Sequence, residues 1–89
     1  MLSFADKRVT CALGRSGIAH SKHEGDGITP SGQWPIRKVL YRPDRIDHLN
    51  CHLPIMPLDS KDGWCDAPCD PAYNRLVELP YPASAETLW

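Results

Sequence analysis

Four cysteines and four histidines supply most of the reactive side chains of this 89-residue chain. They fall into three local groups: His20-x-x-His23, His48-x-x-Cys51-His52 and Cys65-x-x-x-Cys69. Imidazole and thiolate are the usual zinc ligands, drawn in structural sites from two Cys-x-x-Cys knuckles or from one knuckle followed by a spaced histidine pair. Neither spacing is present, so scattered loop residues are the simpler reading and no metal ligand or cofactor is assigned. A small Cys/His metal-binding domain stays as an alternative. The even cysteine count permits disulfides, with Cys51–Cys69 and Cys65–Cys69 the pairs to examine, but no export signal points to an oxidising compartment.

A nucleophilic cysteine needs a partner histidine, a helix N-terminus or converging backbone N–H groups to lower its pKa. Cys11 sits on the apolar side of an alternating run, which suits a buried structural role. Cys65 precedes Asp66, and a neighbouring carboxylate raises a thiol pKa rather than lowering it. Cys51 lies near His48 and His52 in sequence, which says little about geometry. No catalytic residue is assigned.

Two constellations remain. Arg37, Lys38, Arg42 and Arg45 cluster around one expected strand, where alternation sends Arg37 to the face opposite Lys38 and Arg42, so a solvated edge is favoured over an anion site. Trp64, Tyr73 and Asn74, with Asp66 of the same loop, are the candidate substrate-binding residues. Aromatic rings with polar tips suit half-wet surfaces, although packing of the loop onto a sheet accounts for them equally well.

The elements expected to position these groups are short strands. Residues 7–13 alternate with Val9, Cys11 and Leu13 on one side, the period of a half-buried strand. Gly14-Arg15-Ser16-Gly17 is a turn, and residues 18–28 an exposed loop. Asp26-Gly27 favours a turn, and Thr29-Pro30-Ser31-Gly32 has the pattern of a type I turn. Residues 33–42 read as a strand whose start, at Pro35, lies at a sheet edge. Residues 53–58 read as an extended segment packed on a sheet, residues 59–75 as a long functional loop, and residues 76–79 as a short strand stopped by Pro80. Ser84 is a partial helix cap for the last six residues. The fold class is mainly β and loop-rich.

Bulk properties set limits. Nine prolines and six glycines leave little room for helix, and the apolar fraction of 42% lies above the disordered range. Net charge is −1, which gives no footprint for nucleic acid. Residues 1–45 carry +4 and residues 46–89 carry −5, read as two oppositely charged surfaces, with a basic groove for an anionic ligand as the alternative. No apolar run approaches the roughly 20 residues of a membrane span. The N-terminus MLSFADKRVTCALG lacks the charged leader, apolar centre and cleavage site of a secretory signal, so the localisation stays unknown.

The run EGDGITPSGQWPIRKVLYRPDR, residues 24–45, closely resembles the N-terminal half of L,D-transpeptidase catalytic domains of the YkuD-like type. There a Thr-Pro-x-Gly-x-aromatic-x-Ile segment turns into a core strand. CALGRSGI, DGWCDAPCDPAYNR and LPYPASAETLW are similar to one bacterial branch of the same family, so the resemblance covers nearly the whole chain in order. It implies a partial β-sandwich-like fold for residues 1–89, the N-terminal portion of the catalytic domain. It further implies cysteine-dependent acyl transfer between peptidoglycan stem peptides in the periplasm or cell wall. The family's histidine base and Gly-Cys nucleophile have no counterpart here, since no Gly-Cys dipeptide occurs in the chain. The expectation is therefore a portion inactive alone, or a non-catalytic module that binds stem peptides.

Overall fold

The computed structural model describes residues 1–89 and contains strands, turns and irregular segments without a helix. The mainly β expectation holds. The chain divides into two compact units, Met1–Trp34 and Pro35–Trp89.

The first unit holds four strands. β1 (Leu2–Phe4) and β2 (Lys7–Val9) form an antiparallel hairpin, turned at Ala5, whose φ of 49° is left-handed. β3 (Ile18–Ala19) and β4 (Thr29–Pro30) pair in parallel. The expected strand over residues 7–13 stops at Val9, and Cys11 lies half-buried beyond it. No residue of this unit is buried, so alternation had no core to face and did not extend the strand.

The expected Gly14–Gly17 turn forms, with the Gly17 N–H on the Gly14 carbonyl at 2.9 Å. Gly14 packs so closely on the Gly27 carbonyl that a side chain there would collide with backbone. Asp26 binds its local backbone as its type favours, accepting from the N–H groups of His23 and Ile28 at 2.6 and 2.8 Å. The segment expected to make a type I turn begins as β4 instead. Thr29 and Ser31 donate to the Gly17 and Ala19 carbonyls, so the ladder claims the backbone.

The second unit holds β5 (Val39–Tyr41) and β6 (Ile55–Pro57), paired in parallel, and the sheet formed by β7 (Asp62–Cys65), β8 (Leu76–Glu78) and β9 (Ala85–Thr87). Its order is β8-β7-β9, all antiparallel. Period 2 divides this sheet into two faces. Gly63 and Cys65 are buried on one, while Asp62 and Trp64 are half-buried on the other. Leu58 and Cys65 are the buried hydrophobic residues of the protein, and Cys65 is wholly inaccessible.

Three expectations change in this unit. Within residues 33–42 only Val39–Tyr41 joins a ladder, because Pro35 cannot donate and no strand lies beside residues 35–38. The loop over residues 59–75 contains the central strand β7. Six residues are too few to nucleate a helix, and the open side of β7 claims the C-terminal segment as β9. There the Ser84 carbonyl accepts from the Asp66 N–H at 3.2 Å rather than Ser84 capping a helix.

Candidate functional site

The connection between β7 and β8 is built by aspartate and asparagine. Asp70 Oδ1 accepts the Ala72 N–H at 2.8 Å, an Asx turn, and the Tyr81 hydroxyl at 2.7 Å. The buried Cys65 thiol lies 3.9 Å from the same oxygen. These donors, Ala72 first and then Tyr81, hold the Asp70 carboxyl below the usual carboxylate range. The same contact, led by the hydrogen bond to Asp70, pushes the Tyr81 phenol above its ordinary value.

Asn74 then enters the left-handed region with φ 59°. Its N–H donates to the Cys65 carbonyl at 2.9 Å, while the Cys65 N–H donates to the Arg75 carbonyl at 3.0 Å. Cys65 thus faces two residues, Asn74 and Arg75, and the pair forms a bulge with its first residue left-handed. Asparagine tolerates that conformation better than other side-chain-bearing residues. The Trp64 indole N–H donates to Asn74 Oδ1 at 3.0 Å. Because indole is a donor only, this bond fixes the amide and leaves Nδ2 as a donor.

The outcome is an open groove of about 580 Å³ within the second unit. Pro35, Ile36, Leu40, Trp64 and Leu76 give it apolar walls, and Arg37, Lys38, Asn74 and Arg75 provide hydrogen-bond donors. No carboxylate lines it. Alternation separates Arg37 from Lys38 only in a strand; here the chain is not a strand and both line the groove. Arg42 lies elsewhere. Its guanidinium makes two bonds to the Asp44 carboxylate, donates to the Trp89 carbonyl at 2.9 Å and stacks 4.2 Å from the Trp89 ring centroid.

A second groove, of about 410 Å³, has the opposite character, with Asp59, Asp62 and Glu78 against Lys61. Leu76 borders both grooves.

Of the four candidate binding residues, the fold brings Trp64 and Asn74 to the basic groove. Asp66 and Tyr73 are not among its lining residues. Tyr73 is exposed on the turn that starts at Asp70, its N–H on the Asp70 carbonyl at 3.0 Å. Asp66 is half-buried, with Oδ1 removed from solvent and without a hydrogen-bond partner. Asp70 escaped notice in the sequence, although an aspartate two residues before a free N–H, in Asp70-Pro71-Ala72, is the signature of an Asx turn.

All four cysteines are free thiols. The Cys65–Cys69 and Cys51–Cys69 disulfides do not form, and Cys51 instead accepts the Leu53 N–H at 3.4 Å. No group of three or more His, Cys, Asp or Glu residues stands together as a metal site. His20 pairs with the Ser31 hydroxyl at 3.0 Å. No helix is long and apolar enough to cross a membrane.

The groove therefore offers cations, an amide donor and apolar walls, but no carboxylate, imidazole, thiol or hydroxyl. That lining is complementary to an anion with an apolar body. No protein-family model matches the chain, and no curated protein or solved structure matches it.

Proposed function

We propose that residues 1–89 are the N-terminal portion of an L,D-transpeptidase-like domain and that its basic groove holds the carboxylate-bearing part of a peptidoglycan stem peptide. One observation carries this reading. The segment DGWCDAPCDPAYNR, which resembles the family, folds into the bulged β7–β8 hairpin that puts Trp64 and Asn74 on a groove lined by three cations. A stem peptide presents several carboxylates beside small apolar side chains, which suits Arg37, Lys38 and Arg75 beside Trp64 and Leu76.

In this reading the chain positions substrate and does not itself transfer the acyl group. Cys65, the cysteine nearest the groove in sequence, is inaccessible and packed against Asp70, which suits neither attack nor activation. The three-stranded sheet of the second unit becomes one part of the β-sandwich-like fold that the resemblance implies.

The test is titration of the chain with stem tri- and tetrapeptides followed by NMR. Shifts of the Trp64 indole and Asn74 amide signals, lost in Arg37→Glu and reduced by salt, are expected. Released D-alanine should stay undetectable. A folded chain that shows no shift at any groove residue rejects the assignment. Binding alone also fits a non-catalytic module. A reading frame downstream that encodes a histidine followed by Gly-Cys selects the transpeptidase portion over the module.

A further inference from the structure

We propose that β8 is a self-pairing edge through which two copies of this chain associate, antiparallel, about a twofold axis at Val77. β8 lies at the end of the order β8-β7-β9, so one side of it has no strand partner. In an antiparallel ladder, bonded and non-bonded positions alternate. The Cys65 N–H bonds the Arg75 carbonyl and the Leu79 N–H bonds the Lys61 carbonyl. Val77, between them and opposite Gly63, is therefore also turned towards β7. Leu76 and Glu78 direct their N–H and C=O groups away from the sheet. The edge is short, carries the charged Glu78 and follows the Asn74–Arg75 bulge, which limits the pairing to these three residues, but it holds neither proline nor lysine.

Register follows from that spacing. A twofold axis at Val77 sets Leu76 opposite Glu78 of the partner subunit. Both have outward-facing backbone, and each pair exchanges two N–H···O bonds. The three-residue edge thus closes four such bonds and consumes every free group that β8 presents.

Charge selects this partner and this direction. The Arg75 end of the edge borders Arg37 and Lys38, and the Glu78 end borders Asp59 and Asp62 with Lys61 as their one cation, so that end stays acidic. Asp62 and Glu78 face each other directly across β7 and β8, and Lys61 of the same groove offsets only part of the negative charge there. Antiparallel pairing brings the basic end of each copy beside the acidic end of the other. Parallel pairing puts like charges together. The interface is isologous and closes at two copies. It is small, so association is transient, and it weakens as salt screens the charges. This inference does not rest on the stem-peptide reading, although both draw on Arg37, Lys38 and Arg75.

Sedimentation velocity and NMR of the full chain, from low micromolar to millimolar concentration, test the proposal. A monomer–dimer equilibrium is expected, with the Leu76 and Glu78 amides gaining exchange protection as concentration rises. Arg75→Glu and Glu78→Arg should each weaken self-association about tenfold or more, and mixing the two variants should restore a dimer. Lys38→Glu supplies the same reversal from outside the bulge if Arg75→Glu unfolds it. The proposal fails if the chain stays monomeric at millimolar concentration, if mixing restores nothing, or if the protected amides lie on another surface. An edge that pairs with an added extended peptide but never with itself also overturns it.

Discussion

The indole N–H of Trp64 donates to Oδ1 of Asn74 at 3.0 Å, across the bulge where Asn74 holds a left-handed backbone. One asparagine thus shapes the turn, fixes the ring that walls the groove and presents an amide donor. A left-handed alanine is strained by about 1–2 kcal/mol relative to its usual conformation, whereas glycine adopts it freely. Asn74→Ala should lower stability by about that amount, and Asn74→Gly by markedly less, in urea unfolding followed by tryptophan fluorescence. In both variants the Trp64 indole N–H should exchange faster with solvent. Equal losses in the two variants would separate the left-handed backbone from the stability of the hairpin.

The Asp70–Tyr81 contact sets a pH window. Asp70 titrates below its ordinary value, so its contribution is complete above the normal carboxylate range and disappears as pH falls through the depressed folded pKa. Tyr81 titrates above its ordinary value, so its contribution is complete below the normal phenol range and disappears as pH rises through the raised folded pKa. The 66–74 connection should be best ordered between those limits. In Asp70→Asn, tyrosinate absorption should show one of the three tyrosines titrating at lower pH than in the parent chain.

In the first unit Asp26 is held at a pKa of about 2, chiefly by the His23 N–H and then by the Ile28 N–H, with Lys22 adding a side-chain hydrogen bond. Its contribution should persist down to the usual carboxylate range and disappear as pH falls through about 2. Carbon-detected NMR titration reads this directly. Asp26→Ala should free the His23 and Ile28 amides to exchange while leaving β7–β9 unaffected.

Gly63 lies at the centre of the buried sheet face. A methyl group there would meet Leu79 Cδ2 at 2.6 Å and the Glu86 carbonyl oxygen at 3.2 Å. Overpacking of this kind costs about 1–3 kcal/mol. Gly63→Ala should destabilise β7–β9 by that amount in denaturant unfolding. Leu79→Ala in the same chain should recover part of the loss, because it removes the nearer obstacle.

Thermal unfolding should be broad. The buried hydrophobic residues are Leu58 and Cys65, both in the second unit, while Phe4, Trp34, Ile36 and other large apolar side chains are exposed. So few buried apolar side chains give the unfolding little cooperativity. Calorimetry should return a van't Hoff enthalpy different from the calorimetric one. A single sharp two-state transition would overturn this expectation.

Much of the local structure was legible because its causes are local. Asp26 beside Gly27, the Gly14–Gly17 turn and the strand stopped by Pro80 follow from dihedral preferences and missing donors. The 59–75 segment was misread because Asp62-Gly63-Trp64-Cys65 has few β-favouring residues, and it becomes a strand through two flanking partners rather than through propensity. The partial cap at Ser84 lost to the same ladder. Arg37 and Lys38 were separated by an alternation that applies only where a ladder exists.

By itself the sequence determined a β-rich, loop-dominated chain, its turns, and the residue types from which a binding surface could be made. Only the tertiary structure decided which of them meet. Trp64 and Asn74 are ten positions apart, and Arg37 is further still. They converge because the bulge at Asn74 re-aims the chain against β7 and because residues 35–38 remain outside any sheet. That convergence depends on backbone pairing between distant segments, and pairing is a property of partners that no single window of sequence contains.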